Sequence, residues 1–228
     1  MEYQSPLAGG PRTIQTKDAK GLPVFTIKAQ ALTPVRAKVV DAICDFLRVV
    51  MWLTAAAMVV MMYAKGRLTV EAVVALALGL MAVYFCTRHV LRVVFRKRTV
   101  IRMTVDAISV RGLLGWKHFK RDVRRSFVVL SHDLVQWEQE TNDLKRRKAA
   151  QKGHVIQPRK YYGYSGHVVL VYAGQRVDLA EVFDIRRATP IVARLQYCDE
   201  QLDTALGKTR GPDEGRGWAA PEPGAWQS

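Results

Sequence analysis

Two uninterrupted apolar stretches, Val49–Ala64 and Ala72–Thr87, constrain the fold of this chain more than any other feature. Each has 16 consecutive residues without a charge, and each extends to about 19–20 residues if one charged residue is admitted at its end, Arg48 in the first and Glu71 in the second. A helix of about 19 residues is roughly 28 Å long, close to the ~30 Å thickness of the hydrocarbon core of a bilayer. Both stretches are therefore long enough to cross a membrane as helices.

The alternative is a soluble protein in which both helices are buried. A helix that is apolar on every side lies either in lipid or at the centre of a large protein, and neither stretch has a polar stripe. The rest of the chain offers about 120 residues with the character of a folded domain, too few to enclose two such helices and also build a core. We therefore predict a transmembrane hairpin over residues 36–98, with spans at about 46–64 and 69–88.

Basic residues on the two sides of this hairpin predict its orientation. Ten lysines and arginines flank the outer ends of the two stretches, whereas the connecting turn has two, Lys65 and Arg67. Because lysine and arginine are enriched on the cytoplasmic side of membrane proteins, we expect both termini in the cytoplasm. Six of the flanking residues are expected at the membrane interface: Arg48, Arg88, Arg92, Arg96, Lys97 and Arg98.

Composition and periodicity change on either side of the hairpin. Residues 1–35 contain scattered glycine and proline without a helical period and are expected to be flexible, with one short strand possible at Val24–Gln30. From residue 99 the sequence alternates and is rich in β-branched residues, which predicts a small antiparallel β domain over residues 99–206. Residues 207–228 have the composition of a disordered tail.

Within the β domain, Ile101, Met103 and Val105 share one face of an extended segment, whereas Ile108 and Val110 are out of step with them. This predicts a turn or bulge near Asp106–Ala107, where a tight hairpin would bring both apolar sets to the same side. A second turn is expected at Gly112–Gly115, and the "AGQR" sequence that begins at Ala173 predicts a hairpin. Phe127–Leu130, with Val135 and Trp137, suggest another pair of strands. Residues 138–160 lose the hydrophobic signal and are interpreted as a charged insertion, a mobile loop with room for a short helix.

The last element is predicted to be a helix that covers the sheet with one apolar face. Thr189 is the expected N-cap and Pro190 the first helical residue, and Gly207 is expected to end the helix. The apolar residues recur at helical spacing: Ile191, Leu195, Cys198, Leu202 and Leu206.

A hairpin followed by "MTVDAISVRG", "WKHFKRDVRRSFVV" and "HVVLVYAGQRVDLAEVF" resembles the bacterial membrane-anchored pleckstrin-homology-like proteins, over roughly residues 45–206. The resemblance implies a bacterial inner membrane as the location of the hairpin. It also implies seven strands in two orthogonal sheets, closed at one end by the final helix. The insertion at 138–160 is longer than such a compact barrel requires. The predicted fold class is thus an α+β membrane protein, in which a two-helix transmembrane hairpin precedes a small antiparallel pleckstrin-homology-like domain capped by a C-terminal helix.

Nothing in the sequence is typical of an enzyme. The five histidines lack metal-binding spacing, the three cysteines form no CxxC pair, and GxSxG, P-loop and GxGxxG motifs do not occur. The adjacent His132 and Asp133 form a possible acid–base pair but are interpreted as ordinary surface. We therefore expect no catalytic residues, no bound metal and no cofactor.

Binding is the function that the sequence favours. The net charge of +15 is concentrated partly in the insertion, whose basic residues are candidate contacts for anionic lipid or nucleic acid: Lys145, Arg146, Arg147, Lys148, Lys152, Arg159 and Lys160. A second basic cluster is interpreted in part as the solvent-exposed face of a strand: Lys117, His118, Lys120, Arg121, Arg124 and Arg125.

The first hypothesis is a scaffolding module, an accessory or assembly subunit of a membrane complex, that binds other membrane or cytoplasmic proteins while anionic lipid orients the domain. The second is a membrane-bound component of a DNA-transfer or secretion apparatus that contacts nucleic acid through the basic insertion. This second function would require binding that weakens steeply with salt.

Overall fold

The computed structural model describes residues 10–66, 69–112 and 115–207 of the chain. These residues fall into two compact units. One, here called the helical hairpin, is Val35–Arg96, and the other, here called the β domain, combines the residues before Val35 with those after Arg96. The predicted disordered tail lies outside the described residues, apart from Gly207, as do Arg67 and part of the predicted turn at Gly112–Gly115.

The helical hairpin contains α1 (Pro34–Ala64) and α2 (Val70–Val94). The Thr69 hydroxyl caps α2 by accepting a hydrogen bond from the Ala72 amide at 3.2 Å. Both helices are long and apolar enough to cross a membrane. None of the residues of α2 is buried, so the described chain does not cover this helix.

The β domain contains eight strands among its described residues. They are β1 (Arg12–Lys17), β2 (Pro23–Ala31), β3 (Lys97–Met103), β4 (Ala107–Arg111), β5 (Trp116–Lys120), β6 (Arg125–Ser131), β7 (Gly166–Tyr172) and β8 (Gln175–Val182). The first five form one antiparallel sheet in the order β1-β2-β3-β4-β5, and the last three form a second sheet in the order β6-β7-β8. The domain also has two helices, α3 (Val135–Gln151) and α4 (Ile185–Ala205).

The core of the β domain lies between the two sheets and α4, which packs against β2, β6 and β7. It combines large apolar side chains from all three layers, including Phe25, Ile101, Ile108, Phe127, Leu170, Leu195 and Leu202. The predicted apolar face of α4 is confirmed for its first four members, which are buried, whereas Leu206 is 40% exposed. The helix ends as expected before Gly207, whose φ of 68° suits glycine.

Two predicted β-hairpins are confirmed. Strands β3 and β4 pair through Met103 and Ile108 around the turn at Asp106–Ala107, so both apolar sets face the core. Strands β7 and β8 are joined by Ala173 and Gly174, which both have positive φ. This is the backbone that a two-residue hairpin connection requires.

The expectation that residues 1–35 are flexible is wrong for most of the described part of this segment. Strand β2, which contains the suggested Val24–Gln30 strand, pairs with β3 from Phe25↔Met103 to Ala31↔Lys97, and β1 adds to its free edge. The helical hairpin is thus inserted between two neighbouring strands of one sheet. Only six of the eight described strands follow the hairpin, whereas seven were implied for the segment 99–206.

Two further predictions require correction. The short helix that was allowed within residues 138–160 is present, but it is longer than expected, because residues 138–151 all belong to the 17-residue α3. This helix also includes Val135 and Trp137, which were predicted to lie in a strand. Helix α4 begins earlier than expected, with Asp184 as its N-cap, whose carboxylate accepts a hydrogen bond from the Arg186 amide at 3.1 Å. Pro190 therefore lies in the second turn, where it removes one helical hydrogen bond.

Candidate functional site

All seven basic residues predicted in the insertion are exposed. Four consecutive ones, Lys145–Lys148, lie in the second half of α3, Lys152 caps the helix, and Arg159 and Lys160 follow in an irregular segment. No acidic residue occurs between Leu144 and Lys160. We call residues 145–160 the basic segment, and it forms a continuous region of positive charge along the chain.

Charge is segregated along α3. Glu138, Glu140 and Asp143 occupy its first half, and the bases occupy its second half. This polarity suits the helix dipole, since carboxylates are favourable near the N-terminus and cations near the C-terminus. It explains how a helix without a buried apolar face forms here, and why hydrophobic periodicity alone did not detect it.

One buried carboxylate attaches α3 to the β domain. Glu138 accepts hydrogen bonds from the amides of Tyr161 at 2.7 Å, Tyr162 at 2.8 Å and Gly163 at 2.8 Å. The buried residues of α3 are Glu138 and Asn142, both in its first half. From Asp143 to its end every residue is exposed except Ala149, which is half-buried. The basic half of α3 is therefore accessible to a partner.

The second basic cluster divides into two groups. Lys117, His118, Lys120 and Arg124 are exposed, as expected for the solvent-exposed face of a strand. Arg121 and Arg125 are instead buried, at 5% and 9% exposure. Their partners are Asp199 and Asp203, one turn apart on α4.

These four side chains form a buried ion-pair network that joins the β5–β6 connection and the first residue of β6 to α4. Asp199 Oδ1 accepts hydrogen bonds from Nε of Arg121 and of Arg125, both at 3.0 Å. Asp203 Oδ1 accepts from Arg121 Nη2 at 2.7 Å and from Arg125 Nη2 at 3.1 Å. Two charges of each sign balance one another, so these arginines position α4 and are withdrawn from any ligand.

A histidine pair lies at the start of α3. The rings of His132 and His167 are 4.6 Å apart between centroids, and His132 is equally close to Tyr162. His132 Nδ1 accepts a hydrogen bond from the Leu134 amide at 3.1 Å, so its proton is on Nε2, which donates to Glu181 at 3.0 Å. His132 is thus part of a buried cluster and not ordinary surface, whereas Asp133 is exposed as expected.

His167 is the unusual member of this cluster. It is 9% exposed, and neither ring nitrogen has a hydrogen-bond partner. Burial lowers the pKa of His167 below its ordinary value, against the opposing effect of Asp178, whose carboxylate is 3.9 Å from Nδ1. Arg176 holds Asp178 and Asp133 through hydrogen bonds at 2.8 and 2.7 Å, and its donation lowers the pKa of Asp133.

We expect His167 to make the β domain less stable in mild acid. A histidine with a depressed pKa in the folded state binds its proton more readily when unfolded, so stability falls as pH drops below about 6.5, by at most about 1.4 kcal/mol per pH unit. Replacement by leucine, His167→Leu, is expected to remove this part of the pH dependence in urea unfolding at pH 7 and pH 5. The exposed His154→Leu is the matched control, and an equal loss of pH dependence in both variants would contradict the assignment.

A cleft of about 430 Å³ lies between the edge strands of the two sheets. Its lining comes from β4 and β5, through Val110, Lys117 and Phe119, and from β8, through Arg176–Leu179. Among the described residues, β5 pairs only with β4 and β8 only with β7. The cleft therefore has an apolar floor, a charged rim and two unpaired strand edges.

The residues expected at the membrane interface fall into two groups. Arg88 and Arg92 each place a guanidinium nitrogen 3.7 Å from an Asp41 carboxylate oxygen, which joins α2 to α1. Arg48 forms an ion pair with Asp45 at 2.8 Å within α1.

The other interface candidates follow α2. Arg96 lies in the short connection after this helix, whereas Lys97 and Arg98 are the first residues of β3. Lys97 pairs with Ala31 and Arg98 with Gln30. Lys97 and Arg98 therefore belong to the sheet and not to the helical hairpin.

Among the described residues, no group of three or more histidine, cysteine, aspartate or glutamate side chains is arranged to hold a metal ion. Burial raises the pKa of the Cys198 thiol to about 12, which makes it a poor nucleophile. No protein-family model, curated protein or solved structure matches the chain.

Proposed function

We propose that this chain is a two-span protein of a bacterial inner membrane whose β domain acts as a cytoplasmic binding and scaffolding module. The observation that carries the proposal is the exposure of the helical hairpin. Most of the large apolar side chains that the described chain leaves exposed belong to α1 and α2, among them Trp52 at 71% and Leu78 at 61% exposure. An exposed apolar surface this extensive indicates contact with lipid or with another protein. Helices of this length fit the hydrocarbon core of a bilayer.

The connectivity supports a module held at the membrane. Two residues, Leu32 and Thr33, join β2 to α1, and two more, Phe95 and Arg96, join α2 to β3. Membrane insertion of the helical hairpin would thus tether the β domain at two neighbouring points of one sheet. The two antiparallel sheets with α4 support the pleckstrin-homology-like character suggested by the sequence.

The cleft between β5 and β8 is the proposed place for a protein partner. Unpaired strand edges offer main-chain donors and acceptors to an added strand, and alternate side chains of that strand can enter an apolar floor. Lys117, which lines the cleft, is exposed, which favours an extended acidic segment. In this role the protein would serve a larger membrane complex as an accessory or assembly subunit, without a catalytic step of its own.

Photo-crosslinking in intact cells tests this role. A photoreactive residue in place of Lys117, beside the cleft, is expected to give a discrete adduct of higher mass. The same residue in place of Lys20, an exposed position in the turn between β1 and β2, is the matched control. Identical adduct patterns from the two positions, or no adduct from Lys117, would argue against a binding role for the cleft.

A further inference from the structure

Apolar side chains accompany the basic segment on the surface. Trp137 and Leu144 on α3 are 54% and 53% exposed, and Val155 and Ile156 after the helix are 97% and 41% exposed. Trp137 and Leu144 are seven residues apart, two helical turns, so they share one face, and Lys148 follows one turn later. Leu144 therefore directly precedes the bases of α3, and Val155 and Ile156 lie between Lys152 and Arg159.

We propose that the basic segment, with Trp137 and Leu144, docks on the headgroup layer of an anionic lipid bilayer. This inference rests on the membrane anchoring proposed above and adds a second, peripheral contact made by the β domain. Bases facing anionic headgroups, next to apolar side chains that enter the acyl boundary, form the arrangement by which interfacial helices bind membranes.

The apolar residues favour lipid over nucleic acid as the partner. A phosphate backbone is bound by cations and gains nothing from a neighbouring Val155, whereas a bilayer surface accepts both kinds of side chain. Trp137 combines a large apolar ring with a polar N–H, which suits the interface between headgroups and hydrocarbon.

The attachment of α3 is consistent with docking by its second half. Glu138 and His132 hold its beginning, through the three amides of the 161–163 turn and the Leu134 amide. The residues beyond Asp143 are exposed around almost the whole helix. A bilayer can therefore contact the bases without displacing the attachment.

The test uses the full chain reconstituted in vesicles, with an environment-sensitive fluorophore on Gln151→Cys, an exposed position one helical turn after Lys148 on the same face of α3. The three native cysteines are replaced by alanine. One preparation contains phosphatidylcholine alone, and the other contains two parts phosphatidylcholine to one part phosphatidylglycerol. We expect a blue-shifted emission, quenched by brominated lipid, only with phosphatidylglycerol.

Charge and apolar variants identify the contact. Because each lysine near an anionic surface changes the docking equilibrium roughly fivefold, the double variant Lys145→Gln/Lys148→Gln is expected to lower docking at least tenfold. Lys17→Gln/Lys20→Gln, which removes the same charge from β1 and its turn, is expected to have little effect. Val155→Ser is expected to weaken docking without any change in charge.

The outcomes separate this inference from the proposed function. Loss of the chain from phosphatidylcholine vesicles would refute the membrane anchor itself. Retention in both vesicles with the same emission would refute only the docking of α3. A blue shift that appears on addition of duplex DNA to phosphatidylcholine vesicles, and not with phosphatidylglycerol, would assign the basic segment to nucleic acid instead.

Discussion

Replacement of Asp199 by alanine is expected to lower the free energy of unfolding of the β domain by about 3–5 kcal/mol. Asp199 is 1% exposed and accepts hydrogen bonds from both Arg121 and Arg125. Its removal leaves Asp203 as the only nearby carboxylate of the network for two buried guanidinium groups. Breaking a buried ion pair costs far more than the pair contributes when intact, because one charge remains buried without a partner.

The measurement is urea unfolding of the purified full chain in detergent micelles. Hydrogen exchange of the β6 and β7 amides is the signal that reports unfolding of the β domain. The matched control is Asp143→Ala, which removes an exposed carboxylate 3.7 Å from Arg146. A surface pair of this kind contributes about 0–1 kcal/mol. If the two variants unfold at the same urea concentration, the network does not attach α4 in the way described.

The second large effect is expected in the helical hairpin. Leu78 lies near the middle of the second predicted span and is 61% exposed. If this residue faces lipid, Leu78→Arg costs about 2.5–3.5 kcal/mol of insertion free energy, and a larger fraction of the chain should be released from membranes by alkaline carbonate. If it faces water, the substitution should change stability by no more than about 0.5 kcal/mol.

Leu206→Arg at the end of α4 is the control for this experiment, because Leu206 is also exposed but belongs to the β domain. It introduces the same charge without touching the proposed span, and its extraction should equal that of the parent chain. Equal extraction of the Leu78→Arg variant would count against the transmembrane assignment of α2.

Local sequence patterns predicted the elements whose stabilising contacts are close in the chain. Alternation of Ile101, Met103 and Val105 with a switch of phase at Ile108 identified the β3–β4 hairpin, because a tight turn reverses the side-chain pattern. The apolar recurrence on α4 identified its buried face in the same way. The uncharged length of the two apolar stretches likewise predicted α1 and α2.

The elements that sequence reasoning missed depend on distant partners. Strand β1 is held by its pairing with β2, and β2 in turn pairs with β3 across the entire inserted helical hairpin. Helix α3 has no apolar period, and its attachment includes the Glu138 carboxylate, which binds amides more than 20 residues away. A charge pattern of acids followed by bases was the available signal for this helix.

In the candidate site, too, features set by neighbouring residues could be predicted, and features set by distant residues could not. Exposure of the seven bases could be anticipated from their density, since so many like charges cannot be buried together. Burial of Arg121 and Arg125 could not, because their carboxylate partners lie 74 to 82 residues further along the chain. The approach of His132 to His167 likewise follows from pairing of β6 with β7, which local periodicity does not specify.

Cysteine accessibility in intact cells tests the central claim, the membrane hairpin with a cytoplasmic β domain, most directly. One cysteine is placed at Lys65, in the turn after α1, and separately at Ala150 on α3, in a chain whose three native cysteines are alanine. We predict that a membrane-impermeant reagent labels Lys65→Cys in intact cells and labels Ala150→Cys only after lysis. Labelling of Ala150→Cys in intact cells, or recovery of the whole chain in the soluble fraction, would contradict this topology.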